Sequence, residues 1–449
     1  MPRRRRMLFL PPRTRKGIAD LATASEPKLS LNEVVGRLLE RYARDGWAPT
    51  LLGVGPMSSV VVRAALEAGR ESECPVMLIA SRNQVDAAAF GGGYAEGWTQ
   101  STFTADIRRI ADEVGFDGLL YICRDHGGPW HRDEELRAKL PLEEAMASAL
   151  QSYGADVEAG FNVLHVDPTR NPSGTVSLDA VIERSLALVR GIERARKERK
   201  LPPVYYEIGT EETSGGLTAE TDFEGFIDRL LSEVSAEALP RPAFIVGQTG
   251  TLVRMRENVG SFNEAYARRL AGIAREHGLG FKEHNADYLA DDILAAHPGL
   301  GITAANVAPE FGAAETAALL ALADRETAAI RAHPAAGLVP SDFRGLVEEK
   351  VLLSGRWAKW LRSAEKGTTE ADLRADQGRR EAVASVCGHY VFTDPDVAAA
   401  RRQLYANARA LEVAADPERE ILNAVKASIT RYIEAFRLPG LTSWLRLSR

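Results

Sequence analysis

The chain has 449 residues, of which 45% are hydrophobic and 26% charged, and its formal net charge is −6. No apolar run approaches the roughly 20 residues that cross a bilayer, and acidic and basic residues are interspersed, so neither a membrane-spanning nor a nucleic-acid-binding protein is expected. Three widely spaced cysteines, Cys74, Cys123 and Cys387, argue against a disulfide framework or a Cys-rich zinc site and for a reduced, cytoplasmic protein.

The first residues, Met1-Pro-Arg-Arg-Arg-Arg6, precede only four apolar residues before Pro11-Pro12, too few for a signal-peptide core. Residues 1–28 are expected to be a disordered basic arm. Across residues 29–47, Leu31, Val34, Val35, Leu38, Leu39 and Tyr42 recur at helical spacing, with Ser30 or Asn32 placed to cap the start. This predicts a lead-in helix.

Eight short apolar runs then alternate with amphipathic helical stretches: residues 50–54, 76–80, 119–123, 163–166, 204–208, 243–246, 279–282 and 301–304. Alternating strands and helices imply parallel strands with right-handed crossovers, and eight such units close a (β/α)8 TIM barrel over residues 29–330. A doubly wound open sheet is the alternative. Loop lengths favour the barrel, because helix-to-strand links are short and Gly- or Pro-rich whereas strand-to-helix loops are long, as at an active-site mouth. No GxGxxG follows the first strand, so a dinucleotide site is not supported. From about residue 331 the strand rhythm stops, and residues 331–449 read as a C-terminal helical region.

At the strand ends the polar residues are numerous. The third strand ends in Asp125-His126, where one group can bind a metal or polarise a substrate while the other moves a proton. The other ends offer Arg82, Asn83 and Gln84, then Asp167, then Glu207 to Glu212, then Gln248, then Glu283-His284-Asn-Ala-Asp287, then Asn306. Arg82, Asn83, Gln84, Asp167, Gln248 and Asn306 are expected to contact substrate. His126 and His284, with a carboxylate from Glu211 or Asp287, would bind a divalent metal with open positions, a donor set suited to zinc and open to manganese, cobalt or nickel. His165, inside a strand beside Asp167, is expected behind the ligands or in a structural role. His277, His297 and His333 read as helix-end caps, and His389 is given no role. The run Phe90-Gly-Gly-Gly-Tyr94 reads as a flexible lid or a phosphate cradle of backbone amides, with Arg82, Lys282 and residues 306–312 as alternative phosphate contacts.

Taken in order, Asn83-Gln84, Phe90-Gly-Gly-Gly-Tyr94, Asp125-His126-Gly-Gly-Pro129, Val166-Asp167, Ile208-Gly-Thr-Glu211 and Glu283-His284-Asn-Ala-Asp287-Tyr288 resemble the family of tagatose-bisphosphate aldolase accessory (non-catalytic) subunits. The likeness runs from about residue 53 to the C-terminal helices. It implies a barrel related to class II, metal-dependent aldolases. Some members act as chaperone-like partners of an aldolase, and others are ketose-phosphate 4-epimerases acting on fructose or tagatose 6-phosphate. The chain departs from the family pattern around Asp-His, with Arg124 where glycine is common and Gly127 where leucine is.

The resemblance makes a 4-epimerase the expected activity. The C4 hydrogen of a 2-ketose is not acidic, whereas cleaving C3–C4 yields an enediolate that a Lewis acid stabilises, and re-adding the rotated aldehyde inverts C4. His126, His284 and Glu211 would hold the metal, while Asp125, Glu211 and Asp287 form the catalytic set, with Asp125 and Asp287 exchanging the C4 hydroxyl proton. Loops near Phe90 and Thr210 would close over the aldehyde. Alternatives are a non-catalytic partner of a class II aldolase subunit and a true aldolase that releases triose phosphate; no GxxxxGK[ST] supports a kinase. The expected partners are a sugar or sugar phosphate, an aldolase chain or a second copy of this chain.

Overall fold

The structure, a computed structural model, describes residues 29–209 and 220–447. The basic arm and Glu211 with its loop lie outside them. Helix α1 (Leu31–Asp45) begins at a capping box in which Ser30 and Glu33 satisfy each other's backbone N–H groups, and ends where Gly46 turns left-handed at φ +73°. Its buried face, Leu31, Val34, Val35 and Leu38, is the stripe read from the sequence.

The chain continues through β1 (Leu51–Val54), α2 (Ser59–Glu71), β2 (Val76–Ser81), α3 (Gln100–Val114), β3 (Leu120–Gly127), α4 (Asp133–Ala138) and α5 (Leu142–Ala159). Next come β4 (Val163–Val166), α6 (Leu178–Glu198), β5 (Tyr205–Gly209), α7 (Glu220–Ala236), β6 (Phe244–Val246), a small hairpin of β7 (Val253–Arg254) and β8 (Glu257–Asn258), and α8 (Glu264–Glu276). The barrel finishes with β9 (Gly280–Glu283), α9 (Asp291–Leu300), β10 (Ala304–Val307) and α10 (Pro309–Ala332). Eight strands, all but β7 and β8, pair in parallel and close in the order β1-β10-β9-β6-β5-β4-β3-β2. The strands are buried on both faces, which is why they read as continuous apolar runs.

Two strands differ from their predicted limits by more than one residue. β10 begins at Ala304, three residues after the predicted start, because Leu51 pairs with Ala304 and pulls the later half of one long small-apolar run into register. β3 runs on through Asp125 and His126. There, Arg124 to Gly127 on β3 spans the same register as Leu164 to Val166 on β4, so β3 bulges by one residue and His126 takes a left-handed φ of +43°.

The family departures have local partners. Arg124 is fully buried, its Nε 2.8 Å from Asp156 of α5 and its Nη1 donating to the carbonyls of Ala80 and Val85. Gly127 leaves room for Tyr153, whose hydroxyl a Cβ there would meet at 2.3 Å and which instead donates to the His165 carbonyl at 2.7 Å.

Beyond the barrel lie α11 (Phe343–Ser354), α12 (Glu370–Ala375), α13 (Gln377–Cys387), α14 (Pro395–Ala410), α15 (Pro417–Ala435) and α16 (Leu441–Leu447). The helices α11 to α14 form a second apolar core with the far half of α10, around Leu319, Val347, Val351 and Val386. By contrast, α15 packs between α2 and α10, and its Val425, Ile429 and Tyr432 join the barrel core. No helix among the described residues is long and apolar enough to cross a membrane.

Candidate functional site

Three imidazoles from three strand ends converge: His126 from β3, His165 from β4 and His284 just after β9. One ligand atom from each lies within 4.8 Å of the others. Carboxylates orient two of the rings. Asp167 Oδ2 lies 2.8 Å from His126 Nδ1, and Glu207 Oε1 lies 2.8 Å from His284 Nε2. With a proton on each carboxylate-facing nitrogen, His126 Nε2 and His284 Nδ1 present lone pairs to one another across 3.1 Å. The rings meet edge-on, with planes at 88°. Lone pairs in that arrangement repel unless a cation lies between them, and a carboxylate behind each imidazole is how metal-binding histidines are held.

His165 is 1% exposed. Its Nδ1 accepts from the His126 backbone N–H at 3.2 Å, while its Nε2 is buried with no hydrogen-bond partner among the described residues. Burial pulls its pKa down to about 4, so it is neutral at pH 7; with Nδ1 accepting, its one ring proton lies on Nε2, and it would ligate through Nδ1 in place of the His126 hydrogen bond. Together, the oriented rings of His126 and His284 and the convergence of the three imidazoles fit a divalent metal.

Charged groups sit beneath the imidazoles. Lys282 of β9 donates at 2.6 Å to Glu207 Oε2. Burial alone would raise the Glu207 pKa, but Lys282, His165 and His284 outweigh it and hold the carboxylate ionised. Glu207 pairs with His165 across β4 and β5, so this inward layer follows from strand register. At the rim, Asp125 Oδ1 accepts from Asn306 Nδ2 at 3.0 Å and lies 3.9 Å from His284 Nδ1. Burial acts to raise its pKa, and His126, His284, His165 and Lys282 lower it on balance, leaving a carboxylate. A Cβ on Gly53 would come within 2.2 Å of Asn306 Oδ1, so glycine is needed there to seat the amide.

Several expected site residues have other duties. Asp167 is occupied by imidazoles: besides His126, its Oδ2 lies 3.1 Å from His131 Nε2, and its Oδ1 accepts from the Thr169 backbone at 3.1 Å. Arg82 is 1% exposed and lies in a network with Asp86, Glu135, Ser148 and the Gly128 carbonyl, so its guanidinium is consumed within the protein. Lys282, the other expected phosphate cation, is consumed by Glu207. Asn83 Nδ2 donates to the His131 carbonyl at 3.1 Å, and its Oδ1 accepts from Asp133 N. Gln84 is buried, accepting from Ser81 N and reaching Met57 Sδ; Gln248 Oε1 accepts from Gly250 N.

Asp287 stands apart from the imidazoles in a different network. Its Oδ1 accepts from the Ala308 and Glu310 backbone N–H groups at the start of α10, and burial, reinforced by Glu310, pushes its pKa up to about 8. Within the glycine run Gly91 is open, whereas Gly93 is packed tightly: a Cβ there would fall 1.9 Å from the Gln84 carbonyl oxygen. His297 is a core residue, fully buried between Ile293 O and Glu283 Oε2 at 2.8 Å each.

His131 and the closeness of His165 were missed from the sequence, and Glu207, named among the groups at the strand ends, was given no role there. A signal existed for two of them, since His165 in Val-Leu-His-Val and Glu207 in Tyr-Tyr-Glu-Ile each interrupt an otherwise apolar strand. His131 carried none.

An eight-stranded parallel barrel with its polar groups gathered at the strand ends defines the class: the protein is a TIM barrel. The chain belongs to the family described as D-tagatose-1,6-bisphosphate aldolase subunit GatZ/KbaZ-like, which it matches over residues 39–416. It is similar to the crystal structure of a probable tagatose 6 phosphate kinase from Sinorhizobium meliloti 1021, at 25% identity and a TM-score of 0.67, covering 86% of this chain and 100% of that one. More distantly it matches the fructose-bisphosphate aldolase (Fba) from Campylobacter jejuni, at 11% identity and a TM-score of 0.49 over 92% and 96% of the two chains. The YdjI aldolase from Escherichia coli K12 matches at 12% identity and a TM-score of 0.45 over 91% and 98%. No curated protein sequence matches the chain.

Proposed function

We propose that the protein is a divalent-metal-dependent 4-epimerase of a ketose phosphate such as fructose or tagatose 6-phosphate. The facing lone pairs of His126 and His284, with His165 beside them and Asp125 at the rim, carry this reading. His126, His165 and His284 would hold the metal, and Glu211, outside the described residues, is proposed as a further ligand. When bound, the metal supplies Lewis acidity for charge developing on the C2 and C3 oxygens of the ketose.

The chain's own residues supply the rest. Asp167 and Glu207 fix the two imidazole tautomers, and Lys282 keeps Glu207 ionised. Asp125, ionised and aimed by Asn306, accepts the C4 hydroxyl proton as the C3–C4 bond breaks and returns it after the aldehyde has turned and re-added. Asp287, engaged in capping α10, is given no proton-transfer role. Inversion requires the aldehyde to stay bound through its rotation, a task for the long strand-to-helix loops.

Proton NMR of the metal-replete protein with each sugar phosphate, with and without chelator, tests this. Chelator-sensitive interconversion is expected. Unchanged spectra with both sugars from protein of confirmed metal content would overturn it. The family's description as an aldolase subunit favours a second reading, a non-catalytic partner that stabilises an aldolase chain. Co-purification with such a chain, in protein that binds no metal, would support that reading instead.

A further inference from the structure

A ketose phosphate brings a dianion, and the two barrel cations expected to meet it, Arg82 and Lys282, are both buried and spent on carboxylates. Two cations with unspent hydrogen-bonding capacity lie beyond the barrel, on the 3-10 turn Arg356–Trp360 that follows α11. That turn lies against loops at the carboxyl ends of the strands. The Trp360 carbonyl accepts from Met255 N, between β7 and β8, at 3.0 Å. Arg356 sits over the Tyr94 ring, in the loop after β2, at 4.8 Å and over Tyr390 at 5.2 Å. Its Nη1 is 4.0 Å from Asp133, two residues past His131 in the segment that follows β3. The same Nη1 is buried without a hydrogen-bond partner among the described residues. Lys359 lies over Tyr390 at 4.9 Å and Trp360 at 5.6 Å, makes no hydrogen bond or ion pair among the described residues, and keeps contact with solvent.

We infer that Arg356 and Lys359 form the subsite for the phosphate of the sugar substrate, supplied by the region beyond the barrel. The aromatic floor of Tyr94, Tyr390 and Trp360 holds both cations in place before an anion arrives. Arg356 offers a planar fork of N–H donors and Lys359 a mobile point charge, a pairing suited to a phosphate monoester. Asp133 is the nearby carboxylate, and its Oδ1 is already engaged by Asn83 at 3.3 Å. Desolvation by the surrounding rings lowers the Lys359 pKa; Asp133 opposes that shift, and Arg356 and Arg170 add to it. The subsite rests on the ketose-phosphate reading for the identity of its ligand.

Calorimetric titration of inorganic phosphate into the metal-replete full chain tests it, comparing wild type with Arg356→Gln, Lys359→Gln and Lys359→Arg. Each Gln variant should weaken phosphate binding about tenfold or more and raise KM for fructose 6-phosphate by a similar factor, while Lys359→Arg retains binding. Circular dichroism and metal content should match wild type. Phosphate affinity unchanged in both Gln variants, or no phosphate binding by wild type, would overturn the subsite. The two readings fail separately: phosphate binding lost in the variants of a protein that epimerises nothing sinks only the epimerase, whereas epimerisation with unchanged KM in the variants sinks only the subsite.

Discussion

Two buried charge networks lie on opposite faces of β3, and they differ in how completely they are satisfied. Outside the barrel wall, every guanidinium nitrogen of Arg82 and Arg124 has an acceptor, from Asp86, Glu135, Ser148 and Gly128 O for the first and from Asp156, Ala80 O and Val85 O for the second. Inside the barrel, His126 and His284 turn lone pairs toward each other and His165 keeps an orphaned nitrogen. The outer network is fully buried, and the inner one is buried except at His126 and Asp125, whose side chains are 22% and 12% exposed. Burial of charge therefore does not by itself mark a site here; the convergence of three imidazoles within ligand distance of one another does, and the outer network has no such cluster.

The comparison can be broken from either side. The largest effect is expected from His284→Ala, which removes one of the two facing lone pairs. Turnover should fall by at least about 1000-fold and bound metal should be lost, as read by elemental analysis, while Glu207 stays paired with Lys282 and the thermal midpoint moves little. Retained metal and turnover would mean that the imidazole cluster is only structural. On the other face, Asp156→Ala leaves Arg124 charged and unpaired in the wall, and should cost about 3–5 kcal/mol in urea unfolding with metal stoichiometry unchanged. A neutral result there would show that the outer network is dispensable.

A smaller effect is expected at Glu315 of α10, a buried carboxyl with no ion-pair partner among the described residues. The Ser58 hydroxyl donates to one oxygen, the other has no partner among the described residues, and burial pushes its pKa from 4.5 up to about 7. A folded pKa above the unfolded one means that the stability Glu315 lends is complete below about pH 4.5 and is lost as pH rises through about 7. The Glu315→Gln variant should flatten that slope, by at most ~3 kcal/mol between pH 5 and pH 8 in thermal unfolding. An unaltered slope would place the titration elsewhere.

The barrel was legible because its strands are short, doubly buried apolar runs with turn residues at their ends, and all eight fall at or beside the predicted positions. Limits were less secure. Nothing in Gly301-Ile-Thr-Ala304 says that the strand proper starts at Ala304, since pairing with Leu51 decides it. Asp125, His126 and His284 stood out as polar residues at strand ends, but their partners did not. Asp167 and Asn306, expected to touch substrate, orient His126 and Asp125, and Arg82 closes a salt-bridge network. The two cations of the proposed phosphate subsite were unreadable, because Arg356 and Lys359 lie in a helical segment with no motif of its own.

By itself, then, the sequence determined the (β/α)8 rhythm, the lead-in helix and the strand ends at which chemistry is offered, since each depends on local periodicity and on which residues tolerate burial. Only the tertiary structure decided which nitrogen of each imidazole faces the cavity, which cations are spent and which remain available. Those outcomes depend on hydrogen bonds between residues from different strands, such as Glu207 with His284 and Lys282, and on the one-residue bulge that turns His126 toward Asp167. Contacts of that kind are set by barrel closure and register, and no local pattern encodes them.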